Sequence, residues 1–186
     1  MIKSKDRSYY IGASDTSFVV GNWTTKTFER WYATKLGYYS MDFVNESMRA
    51  GTAYEHRILD ALNIKGLRKD KQFIDGRLRI NLDGCTDDQI YEVKTHSVDK
   101  PFKVTKAYRQ QVVVEMFGTG IRKAQIVAYG LEKKDYRNYY RDIDDNRLTF
   151  HPVEYDEGFI QEVYLPRFLY LSACLDRGAF PKESDV

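Results

Sequence analysis

The feature that most constrains the fold is a change of hydrophobic period about a third of the way along the chain. Residues 45–63 carry an apolar stripe at the spacing of an amphipathic helix, made of Met48, Ile58, Leu59 and Leu62. Beyond them, Leu78, Ile80 and Leu82 alternate with polar residues, which is the period of a half-buried β-strand. An Asp-Gly pair shortly before this strand favours a tight hairpin turn. The sequence therefore predicts a sheet that packs against helices.

The same reasoning assigns the other elements. We predict helices over residues 15–20, 25–36, 45–63, 104–117 and 156–177. We predict strands over residues 71–74, 77–83, 89–95, 124–129 and 147–153, with a turn at residues 84–88. Ser14 or Asp15 is expected to cap the first helix, Gly118 to follow the fourth, and Pro166 to kink the last.

This order of elements indicates a mixed α/β fold in which helices flank a modest mixed sheet. The chain lacks the regular βαβα alternation of doubly wound folds. It also contains no glycine-rich phosphate loop of the G-x-G-x-x-G or G-x-x-x-x-G-K type. With 186 residues and no linker rich in proline, glycine or serine, we expect a single domain over residues 1–186, with its core at about 7–177.

Composition narrows the class of protein. Hydrophobic residues make up 42% and charged residues 30%, which is typical of a globular chain and not of a disordered one. Two cysteines are too few for a disulfide framework or a four-cysteine metal site. The sequence has neither an apolar stretch of membrane-spanning length nor a secretory signal, so we expect a cytoplasmic protein without a membrane partner. The net charge of +2 falls short of the excess expected of a protein that binds DNA by phosphate contacts alone.

Two carboxylates and a lysine form the clearest chemical signal. Asp83 ends one predicted strand, and Glu92 and Lys94 lie on the next, across a short turn. Glu92 and Lys94 are two residues apart and therefore point to the same face of the sheet. The hairpin brings Asp83 close to both.

This grouping suits a metal-assisted hydrolysis of phosphodiesters. Two carboxylates a few ångströms apart repel each other unless a cation lies between them. Oxygen ligands of this kind select Mg²⁺ or Mn²⁺, which activates water and binds a phosphate oxygen. Lys94 would orient that water or stabilise negative charge that develops during the reaction. The alternative is an ordinary cross-strand salt bridge on a solvated face, which this short pattern alone leaves open.

Two further residues strengthen the functional interpretation. Glu55 lies on the apolar face of the helix at residues 45–63, where a carboxylate must be paired or metal-bound. Gln111 follows Tyr108 by one turn on the helix after the carboxylate hairpin, and could position water or phosphate. The alternatives are a boundary glutamate paired with a basic residue, and a glutamine that satisfies backbone groups.

Arg7 and Ser14 flank the first short helix. Free backbone N–H groups and the helix dipole favour an anion at a helix N-terminus, so this pair could bind a phosphate. Simple helix capping by Ser14 is the alternative.

Taken together, these motifs resemble the PD-(D/E)xK nuclease superfamily, and within it the lambda exonuclease/YqaJ-type phage recombination nucleases. The matching segments run from about residue 7 to 177 and occur in the family's order: Arg7 ahead of Ile11-Gly12-Ala13-Ser14, Gly51-Thr52-Ala53-Tyr54-Glu55, Asp83-Gly84, Glu92-Val93-Lys94 and Ala107-Tyr108-Arg109-Gln110-Gln111-Val112. Each motif alone is weak, but their joint order and spacing form a strong signal.

The resemblance implies a restriction-endonuclease-like αβββαβ core and Mg²⁺-dependent 5′→3′ digestion of linear duplex DNA, with Mn²⁺ as a substitute metal. It implies that the product is a 3′ single-stranded tail for phage-type recombination. It also implies a role for each matching residue: Glu55, Asp83, Glu92 and the Val93 carbonyl as metal ligands, Lys94 as the catalytic lysine, Gln111 as a water-positioning residue, and Arg7, Ser14 and Tyr108 at the 5′-phosphate and DNA.

The implied partners are double-stranded DNA ends, a single-strand annealing protein and two further copies of the chain in a ring-shaped trimer. The location would be the host cytoplasm if the chain is phage-encoded. Two other functions remain open at this point. One is an endonuclease or repair nuclease of the same fold, and the other is a non-catalytic module that binds DNA ends.

Overall fold

The computed structural model describes residues 8–38 and 45–186. Its strands in chain order are β1 (Ile11–Gly12), β2 (Arg68–Asp75), β3 (Leu78–Cys85), β4 (Gln89–Ser97), β5 (Lys123–Leu131) and β6 (Leu148–Val153). Its α-helices are α1 (Thr16–Val19), α2 (Lys26–Lys35), α3 (Glu46–Ala61), α4 (Lys106–Thr119) and α5 (Leu165–Asp176). Among these described residues, no helix combines the length and apolar character needed to cross a bilayer.

Strand β3 is the organising strand of the sheet because it has three partners. β2 pairs with it antiparallel along its whole length, from Arg68 opposite Cys85 to Asp75 opposite Leu78. β1 pairs with its first two residues, and β4 pairs only with Gly84 and Cys85 at its end. A strand has two hydrogen-bonding edges, so β1 and β4 share the edge that β2 leaves free. In the described part of the chain, the middle of that edge has no strand beside it.

The rest of the sheet extends from β4. β4 and β5 run parallel over nine residue pairs, from Gln89 opposite Lys123 to Ser97 opposite Leu131. β6 then pairs antiparallel with β5. The connection between the parallel strands contains α4, as a parallel pair requires. In chain order α3, β2, β3, β4, α4 and β5 form the αβββαβ arrangement expected from the sequence.

Helices cover both faces of the sheet, and each face has its own apolar cluster. α3 contributes Tyr54 and Ile58 to one cluster, together with Val93 of β4. α4 contributes Val112 to the other cluster, together with Ile80 of β3. Strand alternation therefore sends successive β4 side chains to opposite helices.

Asp15 connects the N-terminal segment to α2 instead of capping α1 with its side chain. Its carboxylate accepts hydrogen bonds from the Gly12 amide at 2.9 Å and the Trp31 indole at 3.0 Å, and pairs with Lys35 at 2.8 Å. The expected side-chain cap from Ser14 or Asp15 is absent at α1. Thr25, in contrast, caps α2 by accepting from the Phe28 amide.

Three sequence-based assignments are wrong, two of them element boundaries and one a core residue. β3 continues through Gly84 and Cys85, which we expected in a turn, because both residues pair with β2 and β4. α4 continues past Gly118 to Thr119 and ends at Gly120, whose φ of 77° suits a left-handed cap. Met48 is 51% exposed, so it does not belong to the buried stripe of α3.

The last helical segment also differs from the expected single kinked helix. A π-helix over Phe159–Tyr164 leads directly into α5, and Pro166 lies in the first turn of α5. Proline has no N–H to donate to the preceding turn, so one α-helical hydrogen bond is missing there. The wider π-helix ends just before this position.

We predict that Gly118→Ala destabilises the protein. A Cβ at residue 118 would lie 2.7 Å from Cγ1 of Ile80, which is too close for the packed contact between α4 and β3. Overpacking of this kind costs about 1–3 kcal/mol, which outweighs the roughly 1 kcal/mol that alanine gains over glycine in a helix. Thermal unfolding followed by circular dichroism measures the loss.

Gly51→Ala is the matched control, because residue 51 also lies within a helix. Its Cβ would meet Thr95 Oγ1 at 3.4 Å, which is close to an ordinary contact. The unfolding temperature of this variant should equal or exceed that of the wild type. Equal stability of the two variants would contradict the packing assigned to Gly118.

Candidate active site

Asp83 lies where β3 and β4 part. Their ladder ends at the pair of Gly84 and Tyr91, so the Val93 amide has no strand partner on β3. Asp83 Oδ2 accepts that amide at 2.8 Å. A side chain thus replaces a backbone acceptor at this position, and the two strands diverge without leaving a buried N–H unpaired.

Glu92, Lys94 and Gln111 form a hydrogen-bonded network on the face covered by α4. Glu92 Oε1 lies 2.7 Å from Lys94 Nζ and accepts from Gln111 Nε2 at 2.7 Å. Gln111 Oε1 lies 3.4 Å from Lys94 Nζ. Strand alternation directs the Glu92 and Lys94 side chains to the same face of the sheet. Gln111 on α4 contacts both of them from above that face.

The pairing of Glu92 with Lys94 is not a salt bridge on a solvated face. Glu92 is only 3% exposed. An exposed ion pair contributes little and needs no further partners, whereas a buried carboxylate must have its lone pairs satisfied. Gln111 supplies that additional donor, which removes the surface salt bridge as an explanation of the pattern.

Glu115 is a member of this network that the sequence analysis did not select. It lies one turn after Gln111 on α4, is fully buried, and accepts from Gln111 Nε2 through Oε1 at 2.9 Å. Its Oε2 has no hydrogen-bond partner within the described residues. The i,i+4 spacing from Gln111 was the available signal, but a glutamate near a helix end usually lies in solvent.

Glu55 approaches the same region from α3, on the other face of the sheet. Burial is the largest cause that raises the pKa of Glu55, followed by the charge of Glu92. Burial also raises the pKa of Asp83 well above its usual range, with further contributions from Glu92 and Glu55. Three carboxyl groups on α3, β3 and β4 therefore interact electrostatically through the gap between the strands.

These carboxyl groups fit a hard divalent cation. Oxygen donors that repel one another in a partly buried site are stabilised when a Mg²⁺-type ion neutralises them. Within residues 8–38 and 45–186, one set of three potential ligands has its donor atoms within 4.8 Å of one another, and it combines Glu55 with His56 and Asp70. His56 and Asp70 form an exposed ion pair at 2.9 Å. Asp83 and Glu92 are held instead by Val93, Lys94 and Gln111, so their role as metal ligands stays a prediction.

The expected DNA-binding residues are only partly described. Tyr108 lies beside the network, with its ring centroid 5.0 Å from Lys94 Nζ. Ser14 is exposed in a short turn of 3₁₀ helix, Ala13–Asp15, that packs near β3 and α4. Arg7 lies outside the described residues, so a phosphate pocket shared by Arg7 and Ser14 stays a prediction.

The chain is similar to known proteins in structure but not in sequence. No protein-family model and no curated protein matches the chain. The solved structures of similar fold include an alkaline exonuclease, LHK-Exo, from Laribacter hongkongensis, with a TM-score of 0.68 and 17% identity over 93% of each chain. The same exonuclease in complex with dAMP gives a TM-score of 0.67 at 18% identity, over 94% of this chain and 93% of that one.

A phage-related exonuclease from Haemophilus somnus 129PT is also similar, with a TM-score of 0.64 at 14% identity, over 93% of this chain and 97% of that one. These likenesses confirm the mixed α/β fold and show that the chain shares the fold of these exonucleases. At such identities the activity has to be inferred from the chemistry of the site.

We predict that the stability of metal-free Glu115→Gln increases relative to that of the metal-free wild type as the pH rises. Burial, and then the charge of Glu92, raise the pKa of Glu115 well above its usual value of 4.5. An acid whose pKa is raised by folding contributes stability below its unfolded pKa and loses it as the pH rises through the folded pKa. Glutamine mimics the protonated acid and does not ionise.

The measurement is the unfolding temperature of both proteins in a chelator, from about pH 5 to about pH 9. As the pH rises, the unfolding temperature of the variant should increase relative to that of the wild type. Glu154→Gln, at an exposed position on the loop after β6, is the control and should give a constant difference. A constant difference for Glu115→Gln as well would contradict the raised pKa of Glu115.

Proposed function

We propose that this chain is a metal-dependent deoxyribonuclease that hydrolyses linear double-stranded DNA from its ends. In the finer form of the proposal it works 5′→3′ and leaves 3′ single-stranded tails for phage-type recombination. One observation carries the proposal: Glu92, Lys94 and Gln111 meet in a buried network next to Asp83, at an opening between two strands. The exonuclease fold supports it.

The metal of this proposal is Mg²⁺, with Mn²⁺ as a substitute. Glu55, Asp83, Glu92 and the carbonyl of Val93 would hold it, since hard oxygen donors suit these ions. When bound, such an ion lowers the pKa of a water molecule and stabilises charge on a phosphate oxygen.

Lys94 acts in this proposal as a fixed positive charge. Burial is the largest single influence and opposes its ionisation, but the charge and hydrogen bond of Glu92, together with Asp83 and Glu115, raise the pKa of Lys94 above its usual value. The side chain is therefore an ammonium at neutral pH and a poor general base. It would stabilise negative charge on the phosphoryl oxygens as the bond to the leaving oxygen breaks.

Gln111 would orient the groups around the reacting phosphate. Its amide nitrogen is shared between Glu92 and Glu115, and its amide oxygen faces Lys94. With both ends held, the amide keeps Lys94 and Glu92 in one relative position. Such positioning lowers the barrier by removing the entropy cost of aligning the groups during reaction.

The substrate side of the proposal rests on fewer contacts. Tyr108 beside Lys94 offers an aromatic face to the DNA strand, and Ser14 with Arg7 would bind a 5′-phosphate. The similar alkaline exonuclease was solved with dAMP, which is a 5′-phosphorylated nucleotide. An annealing protein and a ring of three copies, which would encircle DNA despite a net charge of only +2, remain part of the proposal.

The test is a nuclease assay on three DNA substrates in one tube: linear duplex with 5′-phosphate ends, linear duplex with 5′-hydroxyl ends, and a covalently closed circle. With Mg²⁺, the wild type should digest the 5′-phosphorylated linear DNA first and leave the circle intact. Without a divalent metal it should digest none of them. Lys94→Ala should abolish digestion while its circular dichroism spectrum and unfolding remain those of a folded protein.

The other outcomes select between the remaining functions. Nicking of the circle would indicate an endonuclease of the same fold. Binding to DNA ends in a gel-shift assay without cleavage in Mg²⁺ or Mn²⁺ would indicate a non-catalytic module. Survival of all three substrates without binding would overturn the proposal.

We predict that Glu115 supports catalysis only through Gln111. Glu115→Leu removes the acceptor for Gln111 Nε2 and should lower kcat about 10-fold, whereas Glu115→Gln keeps an acceptor oxygen and should retain most of the activity. Gln111→Ala should lower kcat by a similar or larger factor.

The double variant Gln111→Ala/Glu115→Leu should be no slower than Gln111→Ala, because non-additivity identifies residues that act through each other. Steady-state assays at saturating DNA measure kcat without the contribution of binding. Additive losses in the double variant would show that Glu115 acts by another route.

A further inference from the structure

A pocket of about 390 Å³ lies beside the proposed active site, on the same face of the sheet. Its size falls within the range of about 300–1,000 Å³ that is usual for small-molecule sites. The lining residues that matter here combine aromatic faces with polar atoms, and they are His96, Lys100, Phe102, Thr149 and His151. None of them has a role in the chemistry described above.

Strand register fixes the position of the pocket relative to the catalytic network. His96 follows Lys94 by two residues on β4 and therefore points to the same face. Across the sheet, Lys94 is opposite Ala128 of β5, which in turn is opposite Thr149 of β6. Two strand spacings separate Lys94 from Thr149, which is roughly 10 Å. The pocket thus opens next to the reacting groups and not on a remote surface.

A series of aromatic rings links the pocket to Lys94. The ring of Tyr108 faces the Lys94 ammonium, and the ring of Phe102 stacks on Tyr108 at 6.1 Å between centroids with an interplanar angle of 7°. His96 and His151 contact Phe102 at centroid distances of 5.3 Å and 5.1 Å. Flat rings arranged in this way are the surface on which nucleobases stack.

Polar atoms occur around these rings. His96 Nδ1 is engaged with the backbone oxygens of Ser97 and Lys100, at 2.9 Å and 3.1 Å. A Cβ at Gly130 would lie 2.8 Å from Cγ1 of Val98 and 3.7 Å from Nε2 of His96, so the glycine leaves room for these two lining side chains. His151 Nε2 lies 2.9 Å from Thr149 Oγ1. These groups can bond to the polar edge of a base, and the exposed Lys100 offers a cation for a phosphate.

We propose that this pocket binds a base of the DNA strand that passes the active site, stacked against Phe102 and His151. The proposal rests on the proposed nuclease function. Nucleotides follow one another at about 3.4 Å in a stacked strand, so a site roughly 10 Å from Lys94 holds a base within about three nucleotides of the cleaved phosphate. The pocket would fix the strand and hold the scissile phosphate in place.

The first experiment measures binding separately from cleavage. Fluorescence anisotropy in a chelator gives the affinity of each protein for a fluorescein-labelled single-stranded oligodeoxyadenylate. Stacking of one base contributes about 1–3 kcal/mol. His151→Ala and Phe102→Ala should therefore each weaken binding by about 10-fold.

The matched control is Phe150→Ala. Phe150 is adjacent to His151 on β6, points to the opposite face and is 51% exposed. The affinity of Phe150→Ala for the oligodeoxyadenylate should equal that of the wild type. Circular dichroism and unfolding of all three variants confirm that they are folded, and His151→Ala alone suffices if Phe102→Ala fails to fold.

An abasic oligonucleotide identifies what the pocket holds. Replacing one base by an abasic site should weaken binding to the wild type at one position in the scan, and the same replacement should have no effect on His151→Ala. Affinities of His151→Ala and Phe102→Ala within twofold of the wild type would overturn the proposal, as would equal sensitivity of wild type and variant to every abasic site.

The nuclease assay separates the two proposals. If the wild type digests DNA and the pocket variants keep its KM and its affinity, the pocket proposal fails and the nuclease function stands. If the wild type digests no DNA but binds the strand through His151 and Phe102, the nuclease function fails and the pocket stands. A raised KM with unchanged kcat in the pocket variants supports both.

Discussion

The hydrogen bond from the Val93 amide to the Asp83 carboxylate is the interaction on which the rest of the site depends. β4 pairs with only two residues of β3, Gly84 and Cys85, and leaves that edge at Asp83. An amide left without an acceptor at the point of separation would cost free energy comparable to a lost hydrogen bond. Asp83 supplies the acceptor, and the opening that results gives Glu55, Glu92 and the groups on α4 access to one another.

The buried charges beyond this opening stabilise one another more than they stabilise the fold. Glu92 and Lys94 lose most of their hydration, and their attraction repays that loss only because Gln111 donates to the same carboxylate. Glu115 holds Gln111 and keeps one oxygen that has no partner among the described residues. Because a buried ion pair is weak evidence of a stabilising role, the chemistry proposed for this network explains it better than a need for folding does.

Much of the fold follows from local patterns. The alternation at residues 78–82 and the Asp-Gly turn predicted the β2–β3 hairpin, and the helical stripe predicted α3 within two residues at each end. The errors occur where packing overrides a local signal. At Gly84, the Leu59 side chain lies 2.9 Å from the position of a Cβ, so close packing and not a turn accounts for the glycine. At Gly118, Ile80 takes the place of Leu59 in the same argument.

The sequence by itself determined the order of elements, the alternation that points Glu92 and Lys94 to one face, and the residue types that the proposed phosphodiester hydrolysis requires. These follow from backbone geometry over a few residues, which local spacing encodes. Only the tertiary structure decided that Glu115 supports Gln111, that Glu55 reaches the site from the opposite face, and that His96 and His151 meet around Phe102. Those contacts depend on strand register and on helix docking, which involve residues far apart in the chain. Local sequence patterns therefore do not predict them.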